Sequence, residues 1–460
     1  MQGSGEKKTV VLINPNWRQL DEPFEHLGLG YLAACLRNAG IDTLIIDMPL
    51  SGSCAAEVIA TIKQNNCALI GVSITFQESA QEVLAFVTEL KQHTAVPIAV
   101  GGIYPTFASQ EIMSLYPSVD FIIKGEGEET VVELAQAILA NGDVHKVAGL
   151  VGRTDNEFWE TPDRPSVQNL DTLPLPARDT LPDVLAQTGY ASLLSSRGCY
   201  GRCTFCSVDA FFSRFGAKFR LRSADSVIEE LEMLQQKFGV VNFAFNDANF
   251  ICGKGRGSER AREIAELILQ KGWQIRFSIQ CRVNDVEPEL FALLKKAGLC
   301  KVFLGVESGS QAVLDRFQKD VTVADNLRAI KILSDLDIFI AMGFIMFDYR
   351  TSINDLNNNL QFLRQVREMT GKAYLAEVDP VSKVLPFAGT KVEAELKQEK
   401  RYLGNSLSFS YKLADPLVEF IYQGLSKLAD IKRKKAAKRG ESLYREFDWH
   451  TGGIKNNSNL

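Results

Sequence analysis

The stretch YASLLSSRGCYGRCTFCSV, residues 190 to 208, joins a short apolar run to three cysteines, Cys199, Cys203 and Cys206, spaced by three and then two residues. The apolar run reads as a β-strand and the cysteines as the loop after it. Downstream the pattern repeats: VVNFAFND (240–247), WQIRFSIQ (273–280), KVFLGVES (301–308), FIAMGFIMF (339–347) and AYLAEVDP (373–380) read as strands. Helical segments such as SVIEELEMLQQKFG (226–239) and PELFALLKKAG (288–298) separate them. Six strand-helix units with right-handed crossovers are too few to close an eight-unit barrel, so a partial (β/α)6 barrel is predicted over 190–385. Active sites of such folds lie at the carboxyl ends of the strands, which is where the cysteines fall.

Upstream lies a second alternating series. TVVLINP (9–15), TLIIDM (43–48), ALIGVSIT (68–75), PIAVGG (97–102) and VDFIIKGEG (119–127) are predicted strands with helical patterns between them, giving a doubly wound parallel sheet over 1–150. Its ligand edge is placed at NPNW, SITF, GGIYPTF and GEGEE, beyond the strands' carboxyl ends. Prolines at 162, 165, 174, 176 and 182 mark 151–189 as a linker, and 386–460 reads as a helical C-terminal region.

At 460 residues the chain has room for two or three cores. Its 51 Lys and Arg against 56 Asp and Glu give a net charge of −5, which is no nucleic-acid footprint. The one basic run, KRKKAAKR (432–439), reads as a solvated helix face, or else as a contact for an anionic partner or membrane surface. No stretch of 18 apolar residues and no signal-peptide order is seen, so a cytoplasmic location with reduced thiols is expected.

Three clustered thiols with no fourth leave few choices. Structural zinc needs four ligands, and the histidines at 26, 93, 145 and 450 and the cysteines at 252, 281 and 300 are distant in sequence. A disulfide would leave one thiol over. An iron-sulfur cluster takes one cysteine per iron, and three cysteines on four irons leave one iron open to a small molecule.

The spacing C-x3-C-x2-C, with Phe205 before the last cysteine, resembles the signature of the radical S-adenosylmethionine (SAM) superfamily. The resemblance implies one 4Fe-4S cluster on Cys199, Cys203 and Cys206. The open iron chelates SAM, and a low-potential donor such as flavodoxin or ferredoxin supplies the electron that releases a 5'-deoxyadenosyl radical. By the same likeness FAFNDANF nominates Asn246 and Asp247 as SAM contacts, although the usual Gly-Gly-Glu is missing. IQCRVND nominates Gln280 and Arg282, and FLGVESGSQAVL nominates Glu307 and Ser308. The rival for each is an ordinary strand-end group satisfied locally.

The front region resembles the cobalamin-binding domain that precedes many such barrels, through INP, HLGLGYLAACLRNAG, VGGIYPTF and VDFIIKGEGEETVVELAQAI. That likeness places the cobalamin near Ser73, Thr75, Gly101, Gly102, Tyr104, Gly125 and Glu126. Two departures are seen: FEHLGL lacks the Asp and Gly of the histidine-on motif, so His26 reads as a loop or helix-start residue, and Tyr104 stands where relatives often carry His. A domain used only for interaction or dimerisation is the alternative.

Together the likenesses imply a cobalamin-dependent radical SAM methyltransferase acting on an unactivated carbon, a second SAM remethylating the cobalt. One rival is a ring-forming or rearranging enzyme with the same cofactors; another is a non-catalytic metal and cobalamin sensor. The substrate, small molecule or peptide, is not legible. Asp348, Tyr349 and Arg350 are candidate substrate contacts, with a polar loop capped by Ser352 as the alternative. Catalytic acid or base residues are not identified.

Overall fold

A computed structural model describes residues 8–15, 24–154, 157–370, 378–439, 447–449 and 453–454. The front sheet runs β2-β1-β3-β4-β5-β6-β7, with β1 Thr9–Asn14, β2 Thr43–Asp47, β3 Cys67–Ser73, β4 Ile98–Gly101, β5 Phe121–Ile123, β6 Leu150–Thr154 and β7 Glu157–Glu160. The first five pair in parallel. Their continuous apolar runs follow from burial on both faces: Val10 to Ile13 are fully buried, split between two cores on opposite sides of the sheet. All five predicted front strands are present.

The sheet does not stop at residue 150, where the sequence reading starts a linker. β6 and β7 add an antiparallel hairpin on β5. Its signal is weak because Gly152 faces Trp159, whose ring lies where any Cβ on Gly152 would be. Glycine is selected there by its aromatic neighbour, at the expense of a readable strand pattern.

The second sheet is β14-β13-β12-β11-β8, all parallel, with β8 Ala191–Leu193, β11 Asn242–Phe245, β12 Arg276–Arg282, β13 Leu299–Glu307 and β14 Phe339–Phe344. Strand order equals chain order, as right-handed crossovers of one hand require. Between β8 and β11 sits a small antiparallel pair, β9 Ser196–Gly198 and β10 Phe219–Leu221. The sixth predicted strand, 373–380, falls largely outside the described residues. Alternate residues of β12 and β13, among them Phe277, Ile279, Val302 and Leu304, face the helix-covered core. Residues between them, Ser278, Gln280 and Phe303, therefore face the lumen.

The C-terminal segments fasten this frame. Phe447 and Trp449 cluster with Phe339, Ala244, Tyr190 and Ala341 at the amino ends of the barrel strands, and the Trp449 carbonyl accepts from Arg276 (2.8 Å) and Asn242 (3.3 Å). This cluster covers the barrel floor. A strap around residues 387–408 returns to the front sheet: Gln77 accepts from the Ala388 N–H (2.8 Å) and donates to the Ser406 carbonyl (2.8 Å). The helices Lys391–Gln398 and Pro416–Arg439 match the helical C-terminal expectation. Among the described residues no helix is long and apolar enough to cross a membrane.

A buried ionic chain joins the halves. Arg178, from the stretch between the sheets, contacts Glu25, just before helix Leu27–Asn38 of the front domain, and Glu230 of helix Ala224–Phe238, and Arg222 also reaches Glu230. All four are under 9% exposed. Removing one partner from such a set strands a charge away from water. Arg178→Met is expected to cost about 3–5 kcal/mol in urea unfolding, and Arg178→Lys less, because lysine keeps a charge but not the fork.

Candidate functional site

Asp247, at the carboxyl end of β11, is fully buried, and its Oδ1 accepts from the Ser195 N–H (3.0 Å), the Ser195 hydroxyl (3.0 Å) and the Ser196 hydroxyl (2.5 Å). Burial raises its carboxyl above the ordinary value, against the pull of Arg260. Asp247 thus pins the base of the cysteine loop through Oδ1, while its buried Oδ2 has no hydrogen-bond partner among the described residues. Arg260 donates to the Ser195 carbonyl (2.8 Å) and fixes the same turn from outside.

On this base stand the three cysteines. The Gly201 N–H donates to Cys199 Sγ (3.4 Å), Asn249 Nδ2 approaches the same sulfur (3.9 Å), and Arg282 Nη1 donates to Cys203 Sγ (3.2 Å). Arg282 also lies 5.2 Å above the Tyr200 ring and donates to the Lys319 carbonyl. A Cβ on Gly201 would meet the Arg282 guanidinium at 2.4 Å, so a larger residue there would push Arg282 from its place against the loop. Burial pushes the Cys206 thiol up to about 11, with Cys203 adding to the effect. Among the described residues no group of three His, Cys, Asp or Glu is placed to hold a single metal ion. The three thiols therefore suit a cluster, which spreads its ligands around several irons, better than one zinc. Phe205 packs edge-on against Phe317, 4.7 Å between centroids, and anchors the loop to the barrel wall.

The remaining barrel candidates divide. Asn246 is exposed, and Gln280 is half-buried on the lumen face. Glu307 takes φ +67°, rare for a residue with a side chain, and its carboxylate pairs with buried Lys319 at 2.8 Å. Ser308 is fully buried, its hydroxyl donating to Asn359 (2.7 Å), so it shapes the turn and offers no free group. Asp348, Tyr349 and Arg350 are likewise engaged: Asp348 with Arg316 (2.7 Å), the Tyr349 hydroxyl with Glu395 (2.5 Å), Arg350 with Glu399. These bonds tie the loop down, and the Ser352 hydroxyl caps the helix that follows.

A cavity of about 340 Å³ opens between the two sheets' carboxyl ends. The front sheet gives it Gly71, Ser73, Gly101, Gly102, Gly125 and Glu126; the barrel gives Ser196, Arg197, Phe211, Phe212 and Asn246. Gly102 has φ +127°, and a Cβ there would lie 2.5 Å from the Ile74 carbonyl oxygen. Gly125, at φ +72°, would press a Cβ on the Phe215 ring. Both positions need glycine for their left-handed backbone and for the protein's own atoms packed against them.

His26 Nε2 lies 2.9 Å from the Ser73 hydroxyl and 3.0 Å from that of Thr75, while its Nδ1 accepts from the Leu29 N–H (3.1 Å). The imidazole is thus the N-cap of helix Leu27–Asn38, as the helix-start reading expects. Burial lowers it to about 4. Two front candidates have their polar atoms engaged by other side chains. Tyr104 is 3% exposed within the front core, and its hydroxyl meets Ser406 (2.8 Å) of the strap, which secures the fold. Glu126 is spent on Arg197 (2.8 Å), Arg220 (2.8 Å) and the Val167 N–H (2.9 Å). Burial alone would raise Glu126, but Arg220 and Arg197 overcome it and hold the carboxyl below its ordinary value.

Two groups that the motifs did not nominate stand out, Arg197 at the join of the halves and Phe303 in the lumen. Arg197 stands two residues before Cys199, reaches Glu126 and Glu128 (2.5 Å) across the interface, and lies 5.1 Å over the Tyr31 ring. Phe303 is 44% exposed, and its ring tip would lie 2.9 Å from a Cβ on Gly343, so the ring rests across that glycine in the lumen.

Comparison with known proteins agrees with this geometry. The sequence model of the B12 binding domain matches residues 18–135, and that of the radical SAM superfamily matches 193–363. The chain is 29% identical to an uncharacterized methyltransferase of Pyrococcus horikoshii, over 70% of this chain and 69% of that protein. It is 28% identical to the anaerobic magnesium-protoporphyrin IX monomethyl ester cyclase of Cereibacter sphaeroides, over 73% of this chain but only 56% of that longer protein. The fold is shared with the cobalamin-dependent S-adenosylmethionine radical enzyme OxsB, solved with aqua-cobalamin and S-adenosylmethionine bound: TM-score 0.79 at 22% identity, covering 92% of this chain and 67% of that one.

Two outcomes are expected. Cys203→Ala purified without oxygen loses its iron and sulfide and all SAM cleavage, while the front domain still binds cobalamin. For His26 the folded value lies below the ordinary 6.5, so its contribution is whole above pH 6.5 and is lost as pH falls towards 4. His26→Gln should flatten that slope, by up to about 3 kcal/mol in the difference between wild-type and variant unfolding curves.

Proposed function

We infer the reaction from one premise: the chain belongs to the cobalamin-dependent radical SAM family, whose cofactors are a 4Fe-4S cluster, SAM and cobalamin. Our reading is that it methylates an unactivated carbon of a biosynthetic intermediate. When bound, the cluster supplies the electron that splits SAM into methionine and a 5'-deoxyadenosyl radical, and methylcobalamin supplies the methyl group. The observation that carries the reading is the shared cavity, which brings the carboxyl ends of both sheets to one space beside the cysteine loop.

The chain's own residues supply holding, alignment and dryness. Cys199, Cys203 and Cys206 would hold the cluster, with the Arg282 guanidinium against Cys203 offsetting thiolate charge. Gln280 on the lumen face and Asn246 at the cavity wall would orient SAM; Glu307, through its pairing with Lys319, keeps its strained turn open beside them. Gly101, Gly102 and Gly125 would receive the cobalamin, with Ser73 and His26 in the same lining and Thr75 bonded to His26. Phe211 and Phe212 line the barrel side of the cavity and exclude water from a radical that water-borne side reactions would quench. Phe303, set across Gly343 above the closed floor, forms a flat apolar platform for the substrate body.

A second reading, ring formation with the same cofactors, is favoured by the likeness to a cyclase at nearly the same identity as to the methyltransferase. The two differ in their products from SAM. Methylation consumes a second SAM at the cobalt, so 5'-deoxyadenosine and S-adenosylhomocysteine should accumulate in equal amounts when the reconstituted enzyme turns over a small-molecule extract. 5'-Deoxyadenosine without S-adenosylhomocysteine would replace methylation by ring formation, and neither product would remove both. Phe303→Ala should lower turnover about ten-fold or more while substrate-free SAM cleavage continues, since the platform touches substrate and no cofactor.

A further inference from the structure

We propose that the C-terminal helix, Pro416–Arg439, is an interfacial anchor that lays the protein on an anionic lipid surface. This inference stands apart from the reaction assigned above.

The helix has two apolar sides. Val418 is fully buried, Ala436 is 6% exposed, and Tyr422 packs edge-on against Phe347 of the barrel at 5.1 Å between centroids. Those contacts dock the helix. Away from them stand Leu417 at 56%, Phe420 at 75%, Leu428 at 58% and Ile431 at 51% exposure. At ~100° per residue these four fall within an arc of about 80°, centred about 130° from the docked side. Gly424 lies in the same arc, with open space beyond its Cα. Phe420 is the most exposed large apolar side chain among the described residues. A single exposed leucine needs no explanation, but a row of four along one helix face does.

Charge identifies the occupant. Six of the last eight residues, Lys432 to Arg439, are basic, in a chain of net charge −5. Helical spacing carries Lys435 and Lys438 onto the apolar arc one and two turns beyond Ile431, and places Lys427 and Lys434 along its border. The two acidic residues of the helix, Glu419 and Asp430, project elsewhere: Glu419 accepts from the Leu413 N–H (2.8 Å), and Asp430 pairs with Arg433 at 3.3 Å. The outward face is therefore apolar for four turns and then purely cationic. A nucleic acid has no use for the apolar row, and a second copy of the helix would set lysine against lysine at the same end when parallel. An anionic bilayer uses both parts: leucine and phenylalanine enter the acyl boundary, and lysine tails reach the head groups.

The test is flotation of the full reconstituted chain with vesicles of phosphatidylcholine alone and with about a third of phosphatidylglycerol added. Binding to the anionic vesicles only, weakened by salt, is expected. Phe420→Ser with Leu428→Ser, and separately Lys434→Glu with Lys435→Glu, should each cut the bound fraction about ten-fold or more. Cluster absorbance and thermal unfolding should not change, since all four side chains are solvent-facing or ordinary surface groups; the charge pair keeps the test valid should the apolar pair misfold. Absence of flotation, or flotation that neither variant reduces, overturns the proposal. Dimerisation sensitive to Phe420→Ser, with no vesicle binding, also overturns it and assigns the row to a second copy.

Discussion

The contact between Arg197 and the paired carboxylates Glu126 and Glu128 governs the architecture. Arg197 lies on β9, two residues ahead of Cys199, while the glutamates sit just beyond the carboxyl end of β5. One side chain therefore ties the cluster loop to the ligand edge of the other domain. Burial by itself would disfavour the Arg197 charge, but Glu128 and Glu126 raise its affinity for the proton well above the ordinary value. Such a set contributes little net stability when compared with apolar packing. Its value is registry: a rigid fork fits two carboxylates in one orientation, and so sets one angle between the domains.

That registry has chemical consequences. In each open parallel sheet the strands end at a ligand edge, because loops there converge without crossing helices. Facing two such edges together makes one cavity from two, with Gly102 and Gly125 on one wall and Asn246 and Phe212 on the other. Reacting groups held across a dry gap gain by alignment what they would lose by diffusion in water. Around the cavity the fold spends buried polar groups freely. Asp247 holds Ser195 and Ser196, Asn359 holds Ser308, and Lys319 holds Glu307. Each fixes a strand-end turn that lines or supports the site.

Much of this was legible in the sequence. Parallel strands buried on both faces must be apolar throughout, so TVVLIN and ALIGVS announce themselves without their partners. The cysteine loop was legible because its chemistry depends on spacing along the chain. Tyr104, Glu126 and Ser308 show what position in a motif cannot reveal, that a polar atom is already engaged, here by Ser406, Arg197 and Asn359. Each of those partners lies 50 or more residues away in the chain. The β6–β7 hairpin was hidden by Gly152, and Phe303 by ordinary strand alternation, since only the bare Gly343 beside it lets the ring lie across the lumen.

The proposed function requires a cluster on the cysteine loop and a corrin in the adjoining cavity, held in register by Arg197. Pulsed electron paramagnetic resonance on oxygen-free protein carrying the reduced cluster and cob(II)alamin measures this directly through the magnetic coupling of the two centres. A strong dipolar coupling is predicted, weakened and broadened in its distance distribution by Arg197→Met with both centres still bound. Two magnetically isolated centres, or coupling unchanged by that substitution, would contradict the account.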